Sequence, residues 1–268
     1  MRSVAELMRL DGRVALVTGA AGHIGRTACE TLAELGGTVA AADIDGSGCE
    51  KLAEALVRDF DADASALTVD LGDEPAVRAL PFRVLAEHGR LDILVHCAAL
   101  VGAPEALPGW SVDFADQRVD TWRRALEVNL TSVFSLTQAS AAALAANGRG
   151  VVVNVSSIYG LVGPDLGLYE GTDLGNPAAY AVSKGGLLQL TRWLATVLAP
   201  DVRVNAISPG GVERGQPEEF QERYLRRTPL GRMATEEDLR GAIAYLATDL
   251  SSYVTGHNLV VDGGWTVW

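Results

Sequence analysis

Cysteine is scarce in this chain, and no metal-ligand pattern accompanies it. The three cysteines, Cys29, Cys49 and Cys97, stand far apart, with no CxxC pair and no histidine cluster at ligand spacing. That distribution argues against a disulfide framework and against a zinc site of the usual kind. We therefore expect reduced, mostly buried thiols of a cytoplasmic protein and no metal centre.

Basic charge and long apolar runs are also lacking. The 22 lysine and arginine residues are outnumbered by 34 acidic residues, which gives a net charge of -12. Since such a field repels polyanions, we expect neither nucleic acid nor a membrane surface as a partner. No apolar run approaches the roughly 18 residues that cross a bilayer. The first eleven residues carry four charged side chains, which leaves no apolar core for an export signal.

What is present is an alternation of short β-branched runs with longer amphipathic ones. Of the 268 residues 48% are hydrophobic and 21% charged, as expected of one globular domain spanning residues 1–268. The predicted strands are Arg13–Thr18, Thr38–Asp43, Ala66–Val69, Leu91–His96, Val151–Val155, Val202–Ile207 and Asn258–Val261. The predicted helices are Ile24–Leu35, Gly48–Phe60, Pro75–His88, Thr121–Ala146, Ala179–Leu198 and Glu236–Ala247. This order predicts an α/β fold, a single-domain, Rossmann-type, doubly wound parallel sheet of about seven strands flanked by helices.

Two segments interrupt this alternation. The segment 160–177 is rich in glycine, proline and acidic residues, so it is predicted to be a loop. The segment 211–232 places a short charged helix pattern, Pro217–Arg227, between glycine-rich turns. Long loops inside a compact domain tend to be functional. We therefore expect an active-site loop insertion at 160–177 and a substrate lid at 211–232.

The first predicted strand runs directly into a glycine-rich turn that opens a helix. Glycines at this point let the backbone approach a pyrophosphate, whose charge is stabilised by the helix N-terminus. Taken alone, such a pattern is equally compatible with a plain tight turn. Its place after the first strand favours a dinucleotide site formed by Gly19, Gly22, His23, Ile24 and Gly25.

Acidic residues close the next two predicted strands. Asp43 can accept hydrogen bonds from both ribose hydroxyls of NAD, whereas the 2′-phosphate of NADP would meet like charge. We therefore expect NAD as the cofactor, with Ile44 beside it. The alternative is that Asp43 only starts a turn. Asp70, followed by Leu71, is a candidate for the adenine amino group, or alternatively a helix N-cap.

Tyr180 and Lys184 are four residues apart in a helical pattern, so both side chains project from one face. A nearby ammonium favours the phenolate form of tyrosine, which makes the pair suitable for acid–base catalysis. Ser157 follows the fifth predicted strand, where a hydroxyl can hydrogen-bond a substrate oxygen. A tyrosine and lysine at this spacing also occur on ordinary helix surfaces, but their order after the serine and the glycine turn favours an active site.

With these motifs the chain resembles a classical short-chain dehydrogenase/reductase over nearly its whole length. The resemblance implies an NAD(H)-dependent oxidoreductase that interconverts a secondary alcohol and a carbonyl by hydride transfer. Its catalytic residues would be Asn129, Ser157, Tyr180 and Lys184. Tyr180 would be the acid/base and Ser157 would polarise the substrate oxygen, while Lys184 would lower the tyrosine pKa and bind ribose. Asn129 would anchor a relay water.

The same resemblance extends towards the C-terminus. The turn after the sixth predicted strand would face the nicotinamide, with contacts from Pro209, Gly210 and Val212. Residues 261–264 match a segment that lies near a subunit interface in such proteins, so a homo-oligomer, a dimer or tetramer, is expected.

The chain departs from the family pattern in three places. His23 stands where a glycine is usual, and it would either contact the pyrophosphate or have a solvent-facing structural role. The cofactor wall would be formed here by Cys97, Ala98 and Ala99. Tyr180 follows Ser157 by 23 residues, a longer spacing than is usual. About ten residues are inserted here. Residues 158–160 with 169–172, and later Gly211 with 216–220, resemble oxidoreductases of bacterial flagellin-modification and nonulosonic-acid sugar pathways. We therefore expect the inserted segment to hold the substrate specificity.

Three functions are compatible with these residues. A polar sugar or sugar phosphate would use Tyr169, Glu170, Thr172 and Asp173 for its hydroxyls and Arg214, Arg223, Arg226 and Arg227 for its phosphate. Those arginines are alternatively a solvated face paired with Glu218, Glu219 and Glu222. A ketoreductase or alcohol dehydrogenase for a small apolar or secondary-metabolite carbonyl would use an aliphatic pocket of Leu161, Val162, Leu166 and Leu168. The third function is nucleotide sensing without catalysis.

Overall fold

The computed structural model describes residues 1–101 and 107–268. Within these residues, seven parallel strands form one sheet in the order β3-β2-β1-β4-β5-β6-β7. The strands are β1 (Val14–Thr18), β2 (Thr38–Asp43), β3 (Ala64–Thr68), β4 (Ile93–His96), β5 (Gly150–Val155), β6 (Val202–Pro209) and β7 (Asn258–Val261). The prediction of a single-domain, doubly wound parallel sheet of about seven strands is confirmed.

The helices connect the strands and cover both faces of the sheet. In the described residues they are α1 (Val4–Met8), α2 (His23–Glu34), α3 (Gly46–Phe60), α4 (Glu74–His88), α5 (Val119–Leu126), α6 (Ser132–Ala145), α7 (Ala178–Val197), α8 (Glu218–Arg227) and α9 (Glu237–Ala247). Single 3₁₀ turns at Ile158–Gly160 and Leu166–Leu168 lie in and beside the segment 160–177.

The core consists of two apolar layers separated by the sheet. Ala15 and Val17 of β1 face one layer, which includes residues of α2, α3 and α9. Val14 and Leu16 face the other layer, which includes residues of α4, α6 and α7. Burial of both faces explains why these strands lack alternating polar residues.

One predicted helix is divided in the structure. The amphipathic stretch Thr121–Ala146 is not a single α-helix, because a π-helical turn at Glu127–Thr131 separates α5 from α6. A π turn holds one extra residue, which the apolar spacing of a sequence does not reveal. The turn places the side chain of Asn129 in the interior of the molecule.

The order of the strands creates a crevice at one edge of the sheet. From β1 the strands β2 and β3 are added towards one side of the sheet, whereas β4 to β7 are added towards the other. The loops that follow β1 and β4 therefore diverge. At such a point an α/β sheet opens a crevice beyond the carboxyl ends of its strands. The glycine turn after β1, Asp43 at the end of β2 and the serines after β5 all lie at this edge.

Two other kinds of feature are absent from the described residues. None of the helices found there has the length and apolar character needed to cross a membrane. Nor does any group of three or more histidine, cysteine, aspartate or glutamate residues in those parts of the chain form a potential metal site.

Candidate active site

The glycine turn after β1 is shaped by close backbone approaches. Gly19 has a φ of +69°, and a Cβ at this position would lie 2.5 Å from the backbone nitrogen of Ala98. A Cβ on Gly25 would overlap the carbonyl oxygen of Gly19. Gly22 caps α2 through its backbone, so the first N–H groups of this helix point toward the crevice. The turn therefore has the shape and polarity of an anion cradle.

A cavity of about 390 Å³, the glycine-turn cavity, lies in front of this turn. It is lined by most of the predicted cofactor residues, namely Gly19, Gly22, His23, Ile24, Gly25, Asp43, Ile44, Asp70, Leu71, Cys97, Ala98, Ala99, Tyr180 and Lys184. The three others, Pro209, Gly210 and Val212, line an adjoining cavity of about 250 Å³. Ile24, Ser156, Tyr180 and Arg214 border both cavities.

Asp43 is held over the glycine turn by two backbone hydrogen bonds. Its Oδ2 accepts from the Ala21 N–H at 3.1 Å, and its Oδ1 accepts from the Asp45 N–H at 3.1 Å. Each carboxylate oxygen can accept a further hydrogen bond. The turn role and the ribose role considered for Asp43 are therefore compatible with each other.

Asp70 has partners that were not predicted. Its Oδ1 accepts from the Gly72 N–H at 2.7 Å, and its carboxylate forms an ion pair with Arg124 at 3.1 Å. The Gly72 hydrogen bond and the Arg124 guanidinium lower the pKa of Asp70 against the opposing effect of burial. The alternative N-cap interpretation is wrong, because α4 begins at Glu74 and Asp73 caps it.

His23 lies at the outer rim of the glycine-turn cavity with most of its ring exposed. Its Nδ1 is 3.5 Å from an Oε1 of Glu236, and the same oxygen accepts from the Nε of Arg214 at 3.1 Å. Glu236 thus links His23, at the glycine turn, to Arg214 of the segment 211–232.

Tyr180 and Lys184 occupy neighbouring turns of α7 at the junction of the two cavities. The Nζ of Lys184 lies 5.7 Å from the Tyr180 ring centroid and donates to the Val155 carbonyl oxygen at 2.8 Å. Burial lowers the pKa of Lys184 to about 8. Burial also raises the pKa of Tyr180, while a hydrogen bond with Ser157 and the charge of Arg214 lower it. The expected net lowering of the tyrosine pKa by Lys184 is therefore not found in this arrangement.

The two serines after β5 connect this strand to α7. Ser156 donates from its hydroxyl to the Lys184 carbonyl oxygen at 2.9 Å, and it is buried. The hydroxyl of Ser157 accepts from the Tyr159 N–H at 3.2 Å and borders the smaller cavity next to Tyr180. The serine pair thus both anchors α7 and presents a hydroxyl to the aromatic-lined smaller cavity.

Asn129 contacts α7 from the π-helical turn. Its Oδ1 accepts from the Leu100 N–H at 2.6 Å, and its Nδ2 donates to the Ser183 hydroxyl at 3.2 Å. Ser183 in turn donates to the Tyr180 carbonyl oxygen at 2.8 Å. Asn129 is therefore coupled to the backbone of Tyr180 rather than to its side chain.

The smaller cavity is bordered by aromatic rings, and we call it the aromatic cavity. Its ring-bearing residues are Tyr159, Tyr169, Tyr180, Phe220 and Tyr224, and Met233 lies beside them. Sequence reasoning missed Tyr159, Phe220, Tyr224 and Met233 as site residues, because they come from segments far apart in the chain. Of the four residues predicted to bind sugar hydroxyls, Tyr169 alone lines this cavity as described.

The aliphatic pocket that was considered for apolar carbonyls is not found. Leu161 and Leu166 are exposed, while Leu168 is buried against the aromatic residues behind the cavity wall. Val162 packs against the same cluster, and none of the four lines the aromatic cavity as described. Phe220 and Tyr224 of α8 line this cavity instead.

Three of the four predicted phosphate-binding arginines have other partners. Arg223 donates to the Glu170 carbonyl oxygen at 2.5 Å, and Arg227 pairs with Asp165 at 2.6 Å and lies over the Trp265 ring. Arg226 pairs with Glu222 at 3.4 Å on the exposed side of α8. Arg223 and Arg227 therefore tie α8 to the inserted segment, and of the four only Arg214 borders a cavity among those described.

Comparisons with known proteins agree with this fold. A family model described as enoyl-(acyl carrier protein) reductase matches residues 19–266. A cis-4-hydroxycyclohexanecarboxylate dehydrogenase of Sinomonas cyclohexanicum is 39% identical over 95% of this chain and 96% of its own length.

Two solved structures are similar over almost the whole chain. The NADPH-dependent 3-quinuclidinone reductase of Rhodotorula rubra has a TM-score of 0.89 at 26% identity and covers 100% of this chain and 96% of its own. An NAD⁺-bound xylitol dehydrogenase has a TM-score of 0.84 at 29% identity, covering 95% of this chain and 99% of its own. The fold and the relatives define a nicotinamide-binding oxidoreductase class. The chain belongs to the short-chain dehydrogenase/reductase family.

Proposed function

We propose that the protein is a dehydrogenase that interconverts a secondary alcohol and a carbonyl by hydride transfer, with Tyr180 as its acid/base. The observation that carries this proposal is the position of Tyr180 at the junction of the glycine-turn cavity and the aromatic cavity. A substrate in the aromatic cavity and a nicotinamide in the glycine-turn cavity would meet at this side chain.

The residues of the site divide the chemistry among them. A bound nicotinamide supplies the hydride acceptor or donor. Tyr180 exchanges the hydroxyl proton of the alcohol, and Ser157 hydrogen-bonds the same oxygen. Lys184 is buried beside Tyr180, where its ammonium can hold ribose hydroxyls. Asn129 acts as a positioning residue through Ser183 and the Tyr180 backbone.

We propose NAD rather than NADP as the cofactor. The residues at the glycine turn fit a dinucleotide, because side chains at Gly19 and Gly25 would collide with the backbone that shapes the turn, and the helix N-terminus behind it favours a pyrophosphate. The carboxylate of Asp43 lies where ribose hydroxyls would bind, and its charge opposes a 2′-phosphate. Similar proteins include an NAD⁺-bound and an NADPH-dependent example, so the choice of NAD rests on Asp43.

The substrate we propose is a small polar molecule with one flat or apolar face. Tyrosine hydroxyls and aromatic faces line the aromatic cavity together, which suits such a molecule. A polyol is the second candidate, supported by the similar xylitol dehydrogenase. The earlier sugar-phosphate hypothesis loses its multi-arginine site, since Arg223, Arg226 and Arg227 have other partners.

The function is tested by following reduction of NAD⁺ with a panel of polyols, cyclic hydroxy acids and simple secondary alcohols. Tyr180→Phe should lower kcat by about a hundredfold to ten-thousandfold, while cofactor affinity and thermal stability stay close to those of the wild type. Tyr253→Phe is the matched control, because Tyr253 is fully exposed. Full turnover by Tyr180→Phe would reject the acid/base role. Tight cofactor binding by the wild type without turnover on any substrate would instead favour a nucleotide-sensing protein.

We further propose that the protein acts as a homodimer or homotetramer in the cytoplasm. Val182, Trp193 and Val197 form an exposed apolar stripe along α7, with Trp193 52% exposed. Helix faces of this kind favour burial against a second subunit. Light scattering should give a mass of two or four chains, and Trp193→Glu should lower it. A cytoplasmic location is supported by the three cysteines, which remain free thiols.

A further inference from the structure

Arg214 stands out among the residues around the aromatic cavity because of its charge. The residues described as lining that cavity include Arg214 but no aspartate, glutamate, lysine or histidine. The whole chain carries a net charge of -12. The charged residue in the lining of the aromatic cavity is nevertheless a cation, which is opposite in sign to the net charge of the chain. A cation in such a position attracts an anionic ligand.

The geometry of Arg214 leaves part of its guanidinium directed away from protein partners. Its Nε donates to Glu236 at 3.1 Å, and its side chain is 34% exposed. Among the residues that the structure describes, no hydrogen bond is found for its two Nη groups. Glu236 therefore fixes one edge of the guanidinium plane, while the other donors can reach a ligand. Arg214 and Tyr180 both border the glycine-turn cavity and the aromatic cavity, so a ligand at the junction of the two can contact both side chains.

The surroundings favour a carboxylate over a phosphate. Arg214 already shares its charge with Glu236, so one cation would have to balance a phosphate that carries nearly two charges. A carboxylate carries one charge, and its two oxygens match the planar donors of arginine. The aromatic rings of Tyr159, Tyr169 and Phe220 provide flat surfaces on which a ring of similar size packs.

We propose that Arg214 binds a carboxylate of the substrate, so that the enzyme acts on a ring-bearing secondary alcohol or ketone that also carries a carboxylate. This assignment rests on the proposed dehydrogenase function. The ring packs against the aromatic wall, and the carbinol oxygen lies at Tyr180 and Ser157. Arg214 then determines specificity without taking part in hydride transfer.

The experiment compares matched substrates in the NAD⁺ reduction assay. The probes are 4-hydroxycyclohexanecarboxylate, its uncharged carboxamide, the phosphate monoester of cyclohexane-1,4-diol, and xylitol. We expect the wild type to have a kcat/KM for the carboxylate at least about tenfold higher than for the carboxamide. Arg214→Gln should lower kcat/KM for the carboxylate by about ten- to a hundredfold, mainly through KM. The same substitution should leave kcat/KM for the carboxamide and the KM for NAD⁺ nearly unchanged.

Two further variants serve as references. Arg214→Lys keeps the charge but not the planar donors. It should therefore retain only part of the wild-type preference for the carboxylate over the carboxamide. Arg226→Gln removes an exposed arginine that pairs with Glu222 on α8, and it should leave all constants unchanged.

The outcomes separate this proposal from the general function. Equal kcat/KM for the carboxylate and the carboxamide would overturn the proposal and leave the dehydrogenase function standing, as would turnover of xylitol alone. A preference for the phosphate monoester would overturn the carboxylate in favour of a phosphate. A rise in the KM for NAD⁺ in Arg214→Gln, with an unchanged KM for the carboxylate, would assign Arg214 to the cofactor. Failure of the wild type on every probe would count against both proposals.

Discussion

The hydroxyl oxygens of Tyr159 and Tyr169 lie 2.7 Å apart and share a hydrogen bond at the wall of the aromatic cavity. Tyr159 follows directly from the serines after β5, whereas Tyr169 belongs to the segment 160–177. The bond therefore attaches the inserted segment to the turn that follows Ser157.

We expect Tyr169→Phe to raise the KM for the physiological substrate by about two- to tenfold, because the cavity wall loses one hydrogen bond and its order. Thermal unfolding should change little, since Phe keeps the packing of the Tyr169 ring against Phe220. Tyr159→Phe and the double variant complete a cycle in steady-state kinetics. Additive effects of the two substitutions would show that the hydroxyl pair does not act as a unit.

Gly25→Ala should destabilise the protein by about 1–3 kcal/mol and abolish measurable cofactor binding, since its Cβ would overlap Gly19. Gly241→Ala is the matched control, because Gly241 lies in helix α9 with open space around its Cβ position. That substitution should stabilise the protein by about 0.5–1 kcal/mol. The measurements are denaturant unfolding and calorimetric titration with NAD⁺, and equal behaviour of the two variants would contradict the prediction.

Asp43→Asn should raise the KM for NAD⁺ by about tenfold and improve the ratio of NADP⁺ to NAD⁺ activity, because the carboxylate charge is removed while the shape stays. The two backbone N–H groups that Asp43 accepts from can still be satisfied in part by the amide oxygen. Asp45→Asn, which alters the N-cap of α3, should leave cofactor preference unchanged. An unaltered cofactor ratio in Asp43→Asn would remove the support for NAD.

His96 should make the protein less stable in acid. It is buried at the end of β4, where its Nε2 lies 3.0 Å from the Thr137 hydroxyl, and burial lowers its pKa to about 3. An unfolded histidine titrates near 6.5. Between pH 6.5 and 3 the unfolded chain therefore binds one more proton, and stability falls by up to about 1.4 kcal/mol per pH unit as pH decreases.

The variant that isolates this effect is His96→Gln, whose slope of unfolding free energy against pH should be smaller by one proton over that range. His23→Gln serves as the reference, because the His23 ring is largely exposed. Urea denaturation at several pH values gives both slopes. If His96→Gln retains the slope of the wild type, another group carries the acid sensitivity.

The sequence alone was sufficient for the sheet and for the glycine turn. Buried β-branched runs such as Val151–Val155 and the spacing of Gly19, Gly22 and Gly25 are local features, and both are determined by nearby backbone geometry. The assembly of the aromatic cavity was not predictable in this way. Tyr159 and Phe220 are separated by 61 residues, and only the packing of α8 against the inserted segment brings their rings to one wall.

The arginines illustrate the same limit. Arg214, Arg223 and Arg227 look alike in the sequence, and each was a candidate for a phosphate. Which of them faces a cavity depends on tertiary partners, namely the Glu170 carbonyl oxygen for Arg223 and Asp165 for Arg227. Neither a backbone carbonyl partner nor an ion pair across 62 residues leaves a signal in residue spacing.

The π-helical turn at Glu127–Thr131 makes the active site sensitive to chain length as well as to side-chain identity. Each residue of an α-helix turns the following ones by about 100°, so deleting one residue here and restoring regular helix would rotate Asn129 away from Ser183. All four residues proposed for catalysis would still be present in such a deletion variant. A pattern search would accept it as intact, although the link from Asn129 to the Tyr180 backbone would be lost.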